Sequence, residues 1–271
     1  MGTPASVIGA RPRGRSRQDA SWRNRLIGAG VLLYLVFLVA QAPAWLLATG
    51  LDRASGGQVA LEFPSGSVWN GKARALTIQA ANGKAVRVAL LSWSFLPHRL
   101  LSGELGFHVT SDDPLAIGSA EVGTGLSGVG HVRHAKFIVG SSVLLPLAPL
   151  LDFVQPAGTL QLQADELRVA GGKPEGDAVV EWRGAGTKLS QVRPLGDYRI
   201  NVTAAQDGIR YDVNTVNGPL RVEGRGSFVP NGPRKFAGTA RADPPFQSQL
   251  QDLLRLLGRD QGQGVFALGA N

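Results

Sequence analysis

One unbroken apolar run, Leu26 to Leu47, stands behind an arginine-studded leader, and no run of comparable length follows it. A helix of that length rises about 33 Å at about 1.5 Å per residue, enough to cross a hydrocarbon core of about 30 Å. The run predicts a single transmembrane helix over 26–47, with Leu26, Val31, Leu35, Leu38 and Leu47 as anchor residues. Trp45 falls near its far end, where an amphipathic ring favours the membrane interface.

The flanks set an orientation. Arg11, Arg13, Arg15, Arg17, Arg23 and Arg25, against the single Asp19, place +5 of the chain's net +8 ahead of the run. Short basic segments stay on the cytoplasmic side, so residues 51–271 are expected across the membrane. The expected localisation is the cell inner membrane, single-pass, with a cytoplasmic N-terminus and a periplasmic C-terminal domain. The rival reading is a cleaved secretory signal, whose apolar region is typically about 7 to 15 residues and ends in a small-x-small site. Ala40-Gln41-Ala42 has that spacing, but Pro43 fits badly just past a cut, and the run is longer than usual for a signal. A basic arm can also bind nucleic acid. The apolar span directly behind this one makes topology the simpler account, so no nucleic-acid partner is expected.

The chain has no cysteine, which excludes disulfides, thiolate metal sites and thiol nucleophiles. Its 36 glycines follow no triplet period and instead punctuate short apolar alternations, the pattern of many brief strands joined by tight turns. Residues 1–25 read as a disordered basic cytoplasmic tail. Strands are expected over 58–63, 73–80, 85–95, 104–110, 114–122, 158–169, 178–183, 197–204, 209–213, 219–229 and 235–242. Asn82-Gly83 marks a hairpin. Leu160 and Leu162 share a parity that Leu167 and Val169 break, so Asp165-Glu166 is expected to form a bulge.

The stretch 143–153, VLLPLAPLLDF, predicts a short buried helix or kinked segment. Phe246, Leu250, Leu253, Leu254 and Leu257 recur at helical spacing, between Pro244-Pro245 at the start and Gly258 at the stop. Residues 264–268 read as a last strand. The expected fold is therefore mainly β: one large, curved, mostly antiparallel sheet over 51–271 with two short helices, and 51–155 and 156–271 as candidate β-rich halves.

Catalytic chemistry finds no foothold. His131 and His134 lie in GVGHVRHAKFIVG, where strand geometry points them to opposite sides and no carboxylate stands at a ligand spacing. Asp112-Asp113, Asp165-Glu166 and Glu104 read as turn and edge residues, because adjacent strand carboxylates face opposite ways. There is no nucleophile elbow and no phosphate-cradling glycine loop. No enzyme activity, catalytic residue, metal or cofactor is expected. Trp69, Trp93 and Trp182 are expected to bury their rings across a sheet face with each N–H finding a partner.

Several segments carry a family likeness. Ala42-Pro43-Ala44-Trp45-Leu46-Leu47, then Gly66-Ser67-Val68-Trp69-Asn70-Gly71, then Leu91-Ser92-Trp93 resemble the type II secretion system protein N family, with Pro43, Trp45, Trp69, Asn70, Gly71 and Trp93 as its landmarks. Leu144-Leu145-Pro146, Gly158-Thr159-Leu160, Pro194-Leu195-Gly196-Asp197 and Gly218-Pro219-Leu220 extend the resemblance over roughly residues 30 to 260. It implies an inner-membrane accessory subunit of the Gram-negative machine that exports folded periplasmic proteins across the outer membrane. It also implies contact with other inner-membrane platform subunits, and names the outer-membrane secretin as a further candidate partner. A more distant similarity to membrane-anchored β-groove proteins of the AsmA type gives the alternative of a module that binds or transfers lipid.

Overall fold

In the computed structural model, described over residues 17–79, 85–147, 149–229, 232 and 234–270, the chain forms two compact units, 1–42 and 43–271. The first holds α1, Arg17–Ala40. Arg17, Arg23 and Arg25 fall within this helix, so the expected basic tail is helical from Arg17 onward, while Arg11, Arg13 and Arg15 lie outside the described residues. The side chains of Leu26, Ile27 and the whole stretch Val31 to Val39 are exposed, so α1 is apolar on every side.

The apolar run does not form one helix, which corrects the expected 26–47 span. Pro43 has no N–H to continue the ladder and sits in an extended conformation as the N-cap of a second helix, α2, Ala44–Ala54. Among the described residues no helix is long and apolar enough to cross a membrane.

The second unit is one antiparallel sheet. Its strands are β1 (Val59–Glu62), β2 (Ser65–Gly66), β3 (Asn70–Gln79), β4 (Ala85–Phe95), β5 (Glu104–Asp113), β6 (Ala116–Gly125), β7 (Gly130–Gly140) and β8 (Ala157–Ala170), followed by β9 (Lys173–Gly186), β10 (Gly196–Ala205), β11 (Gly208–Asn217), β12 (Leu220–Phe228), β13 (Arg234–Ala242), β14 (Arg259–Asp260) and β15 (Val265–Ala270). From β3 to β13 each strand pairs with the next in sequence, and β15 then β14 close the far edge. The pairing of β7 with β8 carries the sheet through residue 155. β7 occupies the stretch that reads in sequence as strand and loop. Asn82-Gly83 lies outside the described residues, but Gln79 pairs with Ala85 on either side of it.

The stretch 143–153 becomes a 3-10 turn, Ser141–Leu147, and a short helix α3, Pro149–Val154. Phe153 is exposed, so this end of the segment is not the buried helix expected. The C-terminal helix α4, Gln247–Leu257, stops at Gly258 as its spacing implies. It seats Leu250, Leu253 and Leu254 on Ala240, Ala242, Leu220 and Phe266. Burial of each leucine contributes about 1.5–3 kcal/mol.

The bulge expected at Asp165-Glu166 is present, as the register of β8 against β9 shifts between Gln163 and Leu167. A second shift, between Ser119 and Glu121 of β6, falls opposite His134, whose φ of 50° places it in the left-handed region. These two irregularities lie side by side, because Ala135 pairs with Ala164.

Candidate functional site

Alternation along unbroken strands gives the sheet two unlike faces. On one face, a cross-strand row runs Leu91, Ser111, Gly118, Phe137, Leu162, Val180, Ile200 and Val213, each paired with the next. A neighbouring row runs Ala116, Val139, Leu160, Trp182, Tyr198 and Thr215. The apolar surface thus crosses at least seven strands, and at about 4.8 Å per strand it spans about 30 Å.

Helices close its two ends. Near the start, Ala44 and Leu47 of α2 pack with Ala73, Trp93, Phe107 and Val109. Near the end, α4 covers β13 and β15. Leu47, read in sequence as membrane anchor, therefore belongs to the core of the body. Between the helices the floor is low: Ala120, Ala135 and Ala164 are buried among Val122, Val132, Phe137, Leu167 and Ala178. Phe137, Leu162, Val180, Ile200 and Val213 are only half-buried. Among the described residues no helix packs closely on β9, β10 or β11.

The opposite face is charged. Arg133 donates to both oxygens of Glu104, at 2.7 and 2.9 Å, and lies 3.5 Å from Glu166. Those hydrogen bonds outweigh desolvation and hold the Glu104 carboxyl down to about 2. Arg99, from the 3-10 turn Pro97–Ser102, donates to Glu121 at 2.6 Å, and Arg199 and Arg183 both donate to Glu181. The carboxylates absent from the local sequence around the histidines come from other strands. Glu104 and Glu166 lie 3.8 and 3.6 Å from His131, and Glu121 lies 3.7 Å from His134. Both histidines thus meet carboxylates of the charged face. The bulge at His134 breaks the strict alternation that predicts opposite sides. Among the described residues no group of three or more potential ligands is placed to hold a metal ion.

Two more carboxylate readings change. Asp113 is buried, where it accepts from the Ala89 N–H at 2.6 Å and the Leu115 N–H at 2.9 Å, while Ser111 donates to the Ala89 carbonyl. These bonds replace backbone pairing where β4, kinked at Leu90 (φ 51°), ends its pairing with β5. Glu104 and Glu166 are members of the ion-pair cluster and not isolated edge residues.

The family landmarks converge on one corner. Pro43 bridges to Ser67, the Trp93 Nε1–H donates to the Val68 carbonyl at 3.0 Å, and the Trp69 ring meets Phe95 edge-on at 4.8 Å. Gly71 pairs with Trp93, and a Cβ there would lie 2.4 Å from the indole, so the ring's position requires glycine. Asn70 opens β3 beside it, and Trp45 is exposed in the first turn of α2. Trp182 donates to the Ala157 carbonyl at 2.9 Å. The anchor residues Leu26, Val31, Leu35 and Leu38 are all exposed on α1.

The fold and this face define a class: single-sheet β-meander proteins with helices over the two ends of an apolar face and, among the described residues, none packed closely on β9 to β11. The sequence profile of the type II secretion system protein N family matches residues 57–269, and the chain belongs to that family. The type II secretion system protein N of Aeromonas hydrophila is 27% identical over 252 residues, covering 88% of this chain and 93% of that protein. No solved structure matches the chain.

Proposed function

We propose that this protein is an accessory subunit of the type II secretion machinery, held at the inner membrane, that acts by contact with other subunits and not by catalysis. The observation that carries the reading is the bare apolar face between α2 and α4. A surface of that size and polarity marks an interaction site. The edge strands are weaker candidates: β1 has four residues and β14 two, too short to template much strand addition.

Anchoring draws its support from the arginine leader and from α1. Its apolar stretch, Leu26 to Ala40, rises about 22 Å, short of a core of about 30 Å. Local thinning of the bilayer and the stem of Arg25 reaching back to the interface make up the difference. With the leader cytoplasmic, the sheet is periplasmic.

Deletion of the coding region, followed by profiling of proteins in the medium, tests the role. Loss of a defined set of exported proteins is expected, and an unchanged profile in secreting cells would refute it.

A second reading, binding or transfer of lipid, is favoured by one feature of the same face. The strands beneath it are paired on both sides, so it offers no backbone donors or acceptors, and an acyl chain needs none. Mass spectrometry of lipid retained by the purified full-length protein tests this reading. Stoichiometric phospholipid that is lost on Ile200→Asp supports it, and a lipid-free protein rejects it.

A further inference from the structure

The strand ends of the sheet form two rims. On one of them lie the start of β3, the end of β4, the start of β5 and the end of β6, and the second unit begins on the same rim, at the bridge of Pro43 to Ser67. The outermost tips here are leucine-bearing, and the charged groups beside them, Arg99 and Glu104, are paired with Glu121 and Arg133. Leu101-Ser102-Gly103 and Leu126-Ser127-Gly128 turn the chain, with Leu101 93% and Leu126 97% exposed. They are neighbours, because Leu100 and Leu126 line one cavity of about 350 Å³. Trp45 and Leu46, in the first turn of α2, are exposed as well. Farther along the same rim, Lys173 opens β9 and Asp207 stands in the turn between β10 and β11.

Fully exposed leucines at two adjacent tips have no role in the packing of the body. Water is an unfavourable surrounding for them, and the headgroup–acyl boundary of a bilayer is a favourable one. Trp45 suits the same depth, since its ring is amphipathic. A protein partner would also cover apolar tips. The bilayer is favoured because these leucine tips, and not the Asp207 turn, neighbour Pro43, where the body begins. From β3 to β6 is three strand spacings, about 15 Å.

We infer that the rim formed by Leu100, Leu101 and Leu126, together with Trp45 and Leu46, dips into the outer leaflet of the membrane that anchors the chain. This contact holds the body against the bilayer at a second point. It rests on the proposed anchoring.

The absence of cysteine makes the test direct. Leu101→Cys and Leu126→Cys, with Leu115→Cys and Val216→Cys on the opposite rim as references, are labelled with an environment-sensitive fluorophore. The full-length protein is then reconstituted into phosphatidylethanolamine–phosphatidylglycerol vesicles. Shallow spin-labelled lipid should quench the labels at 101 and 126 at least threefold more than those at 115 and 216, all four being exposed sites. Equal quenching on both rims overturns the inference, as does a blue shift at 101 and 126 without lipid quenching, the sign of a protein contact. If the protein fails to float with the vesicles, the anchoring has failed and the inference falls with it. Flotation with equal quenching at all four labels rejects the inference alone.

Discussion

The C-terminal end of the sheet and its middle are built from the same antiparallel ladder, yet one is sealed and the other is not. Under α4, Leu250 and Ala240 are wholly buried, and large side chains from helix, loop and strand meet. Over β6 to β9, the buried residues of the cluster are alanines, set among half-buried neighbours of the same face. The difference divides the sheet into helix-sealed ends that bury large side chains and a middle whose half-buried apolar surface serves the proposed subunit contact.

The sharpest way to break this comparison is Leu250→Asp. An unpaired charge beneath α4 should cost several kcal/mol and abolish cooperative melting of the body, followed by circular dichroism. A melt like the parent's would mean that α4 is not a structural lid. Next comes a matched pair of enlargements. Ala240→Leu should cost about 1–3 kcal/mol because α4 leaves no room, whereas Ile200→Phe on the half-buried, helix-free stretch should cost less than about 1 kcal/mol. Equal losses would show that the middle is covered too. Smaller still, Trp93→Phe removes the bond to the Val68 carbonyl at a cost of about 1 kcal/mol, loosening the end under α2.

The charged face adds a pH effect. Glu104 is held at about 2 instead of 4.5, so its contribution is present at neutral pH and is lost as pH falls through that window. Acid melts of the parent should decline between those values, and Glu104→Gln should flatten the decline. A variant with the parent's acid profile would place the effect in the other paired carboxylates.

Much of this was legible in the residues. Period-two alternation located most strands, the parity break at Leu167 located the bulge in β8, and 3.6-residue spacing located α4. The apolar run was misread as one helix because hydropathy does not register the missing N–H of Pro43, which returns Leu47 to the body. β7 was missed in part because its glycines and basic residues dilute the alternation. The charge cluster was out of reach: Glu104, Arg133 and Glu166 stand far apart in sequence, and only pairing across β5 to β8 unites them. The bare apolar face was likewise invisible, since a strand's inward residues look the same whether or not a helix covers them.

The most direct test of the central claim is photo-crosslinking in cells that express the whole secretion system. Benzoylphenylalanine at Ile200 reports from the bare apolar face, and at Arg199 from the charged face one residue away. The account predicts a crosslink from 200 to a secretion-platform subunit and little from 199. Capture from 199 with none from 200 would contradict it.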